Sequence, residues 1–252
     1  MKKIQLLILL TTLLFIPVAG IADVHTQKVS PVSLVKPYKD ISHRILTVNK
    51  LKKRAQDLSE GDKSIIQKYV FGAVSGEDTF TLMNAYLRGN LNQYIKQKDI
   101  TKPLQMRMKY YSDNLCKTLS KTELPQNMIL YGNTNIKDLS VFFPDKTILN
   151  ILNKPFAENN LSVLSSKLTG KQFTDKGFII TYYDQDYIKN PNVILEIRAP
   201  KNLQGVLLLN STKYEKAVLL NKGTAWKVTG ISSFQDKNTK KNYYKISIKF
   251  VI

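Results

Sequence analysis

The chain has 252 residues, a formal charge of +19 from 38 Lys and Arg against 19 Asp and Glu, one cysteine and two histidines. A lone Cys116 excludes an internal disulfide framework, so the fold must be held by its core. His25 and His43, both near the N-terminus, leave almost nothing for a zinc site or a histidine-based triad, and no metal is expected. The cation excess favours acidic partners, such as an anionic surface or an acidic patch on another protein. The lysines are scattered rather than gathered with stacked aromatics, so there is no specific nucleic-acid signal.

Met1-Lys2-Lys3, an apolar run from Ile4 to Ala19, and small residues at Gly20 and Ala22 form the three regions of a secretory signal, with the cut expected after Ala22. The run is short for a bilayer span, and no stop-transfer cluster follows it. No cysteine stands near the cut, which excludes lipidation there. Cleavage releases an extracellular chain, and its loss of two lysines and no acid lowers the charge to +17.

Residues 23–57 read as a basic arm. Val24 to Pro37 is a polar, proline-containing lead-in, and Tyr38 to Asp57 carries an apolar stripe (Ile41, Ile45, Leu46, Val48, Leu51) suited to a helix. Ser59, with Asp62 three residues on, is an N-cap for a helix burying Ile65, Ile66, Tyr69 and Val70, interrupted at Gly72 and Gly76. Further helices are expected over about Asp78 to Leu87 and Lys102 to Leu119, the latter packing Cys116 as a small side chain. After Pro125 the character changes. Met128 to Tyr131 is a short strand ending at Gly132, Asn135 to Leu152 is mixed, and Leu161 to Leu168 is a short helix.

Strands follow at Gly177–Tyr183, Asn192–Arg198, Gly205–Leu209, Ala217–Leu220, Ala225–Ile231 and Tyr243–Val251, separated by turn residues. In the last, Tyr244, Ile246, Ile248 and Phe250 alternate with Lys245, Ser247 and Lys249, the pattern of a half-buried strand. Trp226 is expected to pack on its strand, and Asn238 to Asn242 to form a hairpin loop. Helices first and a many-stranded antiparallel sheet afterwards define an α+β chain.

Four pieces in order resemble the bacterial ADP-ribosyltransferase exoenzymes of the C3-like and binary-toxin type. They are Leu58–Tyr69 with Met83–Gly89, then Met128–Gly132, then Gly170–Thr181, then Tyr214–Val228. The resemblance covers Leu58 to Ile252 and implies N-terminal helices followed by a two-sheet mixed β core flanking an NAD cleft. Active members transfer ADP-ribose from NAD to a protein side chain. They use an arginine at the end of the first core strand to grip phosphates, a Ser-Thr-Ser segment to buttress the pocket, and a Glu-x-Glu or Gln-x-Glu motif whose last glutamate is the catalytic acid. A guanidinium suits pyrophosphate, and a carboxylate at the ribose stabilises the cation that develops as the glycosidic bond breaks.

Matched to those roles, the arginine position is Gly132, Ser-Thr-Ser becomes Ile180-Thr181-Tyr182, and Glu-x-Glu becomes Glu215-Lys216-Ala217. Moving the acid back to Glu215 shifts a carboxylate by about 6–7 Å along a strand, too far for direct contact with the ribose. Arg88 matches the family's Leu-Arg, with a structural role tying helices to sheet or a place at the cleft border. Tyr131, Phe178 and Glu215 are further cleft-lining candidates. The resemblance with these substitutions implies a catalytically degenerate, toxin-related binding or adaptor module. It would need no cofactor and would meet another protein through its basic surface. Two alternatives stand beside it: an active transferase using NAD with Glu215 as its acid, and a secreted protein held to anionic surfaces by charge alone.

Overall fold

The computed structural model describes residues 41–252 except 75–76, 189–190, 192, 210–215, 238 and 252. The secretory signal, the whole polar lead-in and Glu215 therefore lie outside the described residues.

Helix α1, Ile41–Gln56, turns Thr47, Leu51 and Ala55 inward at four-residue spacing, so one stripe faces the core. Helix α2, Glu60–Phe71, starts as the sequence suggests: Ser59 Oγ accepts the Asp62 N–H at 3.2 Å and donates to the Asp62 carboxylate at 2.6 Å. Asp62 also accepts two bonds from Lys121 Nζ, at 2.6 and 2.9 Å, and one from Thr118 Oγ1 at 3.2 Å. Burial opposes its charge, but these donors hold the carboxyl below its ordinary pKa. The cap thereby becomes a clip to α4, Lys102–Leu119, which has the bounds that its periodicity predicts. Between them, β1 (Ala73–Val74) and β2 (Glu77–Asp78) form a small antiparallel pair. Helix α3, Thr79–Arg88, follows, capped by Asp78.

The strand β3, Met128–Thr134, does not end at Gly132 but continues two residues beyond it, because Gly132 stays paired to Leu195 and Thr181. The mixed stretch after it resolves into α5 (Ile136–Phe142) and α6 (Lys146–Leu152), capped by Asn135 and Asp145, and α7 spans Asn160–Leu168. A strand that the periodicity did not suggest, β4 (Gln172–Asp175), is only four residues long. The remaining strands are β5 (Ile179–Tyr182), β6 (Val193–Ala199), β7 (Gly205–Leu207), β8 (Ala217–Leu220), β9 (Thr224–Gln235) and β10 (Asn242–Phe250).

The strand order is β4-β9-β10-β6-β3-β5-β8-β7. Pairing is antiparallel throughout except between β6 and β10, which run parallel, so the sheet is mixed and not uniformly antiparallel. The two expected sheets are a five-strand part from β4 to β3 and a three-strand part of β5, β8 and β7. They are joined into one ladder by only two residue pairs, Tyr131↔Tyr182 and Gly132↔Thr181. α7 lies on β9, α1 on β7, and α4 against both α2 and α3. Trp226, Tyr244 and Phe178 are the bulkiest fully buried side chains, with Leu51 and Ala55 of α1 in the same core. Trp226 is packed as expected, edge-on to Phe250 with ring centres 6.0 Å apart. Cys116 is partly buried against the core.

Candidate functional site

The narrow junction between the two parts of the sheet gathers most of the motif positions. Directly opposed residues in a ladder share a face, and neighbours along a strand alternate. One row therefore runs Glu196–Tyr131–Tyr182–Ala217 across β6, β3, β5 and β8, and the row beside it runs Leu195–Gly132–Thr181–Val218 on the opposite face. Ile180, two residues from Tyr182, shares the first face. Tyr131, Ile180 and Tyr182 are half-buried, and Ala217 is fully buried. Thr181 is wholly buried, its hydroxyl donating to the Val218 carbonyl at 2.8 Å. It is satisfied within the sheet and offers nothing to a cleft.

Gly132, the position matched to the phosphate-gripping arginine, lies on the face away from Ala217 and Tyr182. A Cβ built there would meet Leu195 Cβ at 3.7 Å and Ile197 Cδ1 at 3.9 Å. The residue on the Ala217 face is Tyr131, one position earlier. Lys216, immediately before Ala217, takes a left-handed φ of 61° and sets its ammonium over the Tyr187 ring, 4.0 Å from the centroid, donating to the Tyr187 hydroxyl.

Arg88 and Phe178 belong to a separate clasp. Asn84 and Arg88 stand one turn apart on α3 and grip the β4–β5 turn. Asn84 Oδ1 accepts the Phe178 N–H at 2.8 Å, and its Nδ2 donates to the Phe178 carbonyl at 3.0 Å, as a paired strand would. Arg88 is bidentate to Asp175, Nε to Oδ1 at 2.9 Å and NH2 to Oδ2 at 2.8 Å, and its NH1 lies 3.1 Å from Asp138. Its guanidinium also stands 5.5 Å from the centre of the Phe142 ring.

Burial disfavours the Arg88 charge, but the Asp175 bonds and the nearby Asp138 more than offset it and hold its pKa above the ordinary value. Burial pushes the Asp175 carboxyl up despite Arg88. The approach requires glycine at 177: a Cβ there would fall 2.9 Å from both Arg88 Nε and Asn84 Oδ1. Sequence reading missed Asn84, Asp175 and Asp138 as partners. The first two lie inside recognised motif pieces, and the four-residue spacing of Asn84 and Arg88 on a helix was the available signal.

Among the described residues no group of three or more His, Cys, Asp or Glu could hold a metal ion, and no helix is long and apolar enough to cross a membrane.

N-terminal helices, a mixed sheet and this strand junction define an ADP-ribosyltransferase-type fold. The chain belongs to the ADP-ribosyltransferase exoenzyme family, whose model matches residues 46–249 and so reaches back into α1. It is similar in structure to Plx2a, an ADP-ribosyltransferase toxin from Paenibacillus larvae, at 17% identity and a TM-score of 0.60, over 84% of this chain and 96% of that one. C3stau2 from S. aureus, solved with NAD, shares 19% identity at a TM-score of 0.59 over 86% and 98% of the two chains. The ADP-ribosylating toxin BECa of a C. perfringens binary enterotoxin shares 20% at 0.62, over 84% of this chain and 48% of that one. A comparison with curated protein sequences gave no match.

Proposed function

We propose that this chain is an exported, catalytically degenerate member of its family that works as a toxin-related binding or adaptor module. The observation that carries the reading is the row Tyr131–Tyr182–Ala217. Whether the arginine position is taken as Gly132 or, from the shared face, as Tyr131, it has no guanidinium. The position of the second serine holds the bulk of Tyr182, and that of the last glutamate holds a methyl group. No cationic side chain on this row could grip a pyrophosphate, and Ala217 cannot stabilise a developing oxocarbenium ion. Arg88, the nearest match to another family arginine, is already neutralised by Asp175 and Asp138.

Export rests on the signal at residues 1–22, and the binding role on the strong positive charge left after cleavage. The partner sought is a protein with an acidic surface.

The test is calorimetric titration of NAD into the purified mature protein, with glycohydrolase turnover assayed on the same sample. The expected result is no binding at millimolar NAD and no turnover. Binding with turnover that a Glu215→Gln variant abolishes would overturn the reading and make Glu215 the catalytic acid.

A further inference from the structure

The face of the five-strand part that carries Glu196 and Tyr131 also holds an arrangement that the fold itself does not require. The register places Lys227 on β9 directly opposite Lys249 on β10, and Lys249 directly opposite Arg198 on β6. Strands lie about 4.8 Å apart, so the Cα atoms of three cationic residues stand in one row within about 10 Å. Like charges set directly opposite in a sheet destabilise it. The row is flanked by Gln172 on β4 and Ile129 on β3, neither of which offers a negative charge.

Among the described residues none of the three makes an ion pair, and Arg198 Nε is buried without a hydrogen-bond partner. Glu196, the carboxylate two residues before Arg198 on the same face, is already engaged by Lys245 Nζ at 2.8 Å and Ser247 Oγ at 3.2 Å. Lys227 and Arg198 are half-buried and Lys249 is exposed, so the row is anchored in the sheet yet open to solvent. It lies two residues along β3 and β6 from the Glu196–Tyr131 row.

We infer that Lys227, Lys249 and Arg198 form a binding site for a multiply charged oxyanion, a phosphate- or sulfate-bearing ligand with adjacent charged groups. A guanidinium presents a planar fork that fits two oxygens of such a group, and the two ammonium groups add point charges along the same line. Bound anion removes the mutual repulsion of the row, so the unfavourable pairing in the free protein is recovered as affinity. The row lies on the same face as the Tyr131–Ala217 row, two residues further along β3 and β6, and shares no side chain with it.

The probe is sodium tripolyphosphate, titrated calorimetrically into the mature protein at fixed ionic strength in chloride. Saturable one-to-one binding is expected, with affinity reduced about tenfold in Lys227→Gln and in Lys249→Gln. Lys117→Gln, which removes the same charge from the exposed side of α4, should change it less than about twofold. A second reading needs no ligand. Lys227→Gln should raise the thermal midpoint of the free protein by about 1–3 °C, because it relieves repulsion. No saturable binding, or equal loss in Lys117→Gln, would overturn the site. So would tighter binding of polyglutamate of matched charge through the same lysines, which would assign the row to an acidic protein surface.

Discussion

The clasp between α3 and the β4–β5 turn sets a measurable stake on one side chain. Arg88 and Asp175 side chains are 8% and 3% exposed, and each satisfies the other through two bonds of 2.8–2.9 Å. Replacing Arg88 with Ala leaves the Asp175 carboxylate buried with the Gly177 N–H, at 2.8 Å, as its remaining donor among the described residues, and withdraws the cation that faces Asp138. Breaking a buried pair by removing one partner costs about 3–5 kcal/mol, against a total stability of about 5–15 kcal/mol for a domain. For a chain of this size that lowers Tm by roughly 6–20 °C. The assay is urea unfolding followed by Trp226 fluorescence, with calorimetry for Tm. Asp175→Ala should be less damaging than Arg88→Ala, because the guanidinium keeps Asp138 as a partner. In a double-mutant cycle, Arg88→Met with Asp175→Leu should cost clearly less than the sum of the single changes. An Arg88→Ala variant within about 1 kcal/mol of the parent would refute the claim that this ion pair locks the helices to the sheet.

Two further expectations concern other parts of the fold. Asp145 caps α6 and accepts a bond from Lys167 of α7 at 3.0 Å; that ammonium first, then the Thr147 N–H, depresses its pKa from 3.8 to about 2. A depressed carboxyl contributes stability that is fully present above pH 3.8 and lost as pH falls through about 2. Carboxyl NMR titration should find that midpoint, and Lys167→Met should move it back towards 3.8, whereas an unmoved midpoint would remove Lys167 as the cause. Trp226 is fully buried with its Nε1 unpaired among the described residues, so Trp226→Ala should cost about 3–5 kcal/mol in urea unfolding, and Trp226→Phe markedly less, since it removes the unpaired N–H.

Much of the helical half was legible in the chain. Ser59 and Asp62 announced the start of α2, the apolar spacing of Lys102–Leu119 gave α4 its bounds, and the alternation of Tyr244, Ile246 and Ile248 gave β10 its buried face. These are local signals, written in capping chemistry and in periods of 3.6 and 2. β4 escaped because four residues carry too little alternation to be read. The end of β3 was misplaced because Gly132 looks like a terminator when its partners on β6 and β5 are unknown.

The motif substitutions could be quoted from the sequence, but which residues share a face could not. That Tyr131, and not Gly132, stands in line with Tyr182 and Ala217 depends on strand register, and a slip of one residue moves a side chain to the other side of the sheet. The same holds for Arg88 with Asp175, separated by 87 positions, and for Lys227, Lys249 and Arg198, which come from three strands. Composition determined that the chain is basic and free of internal disulfides, and local spacing that it is helical before it is stranded. Only the tertiary structure decided which charges are neutralised and which stand unpaired, because that depends on distances across strands that are remote in sequence.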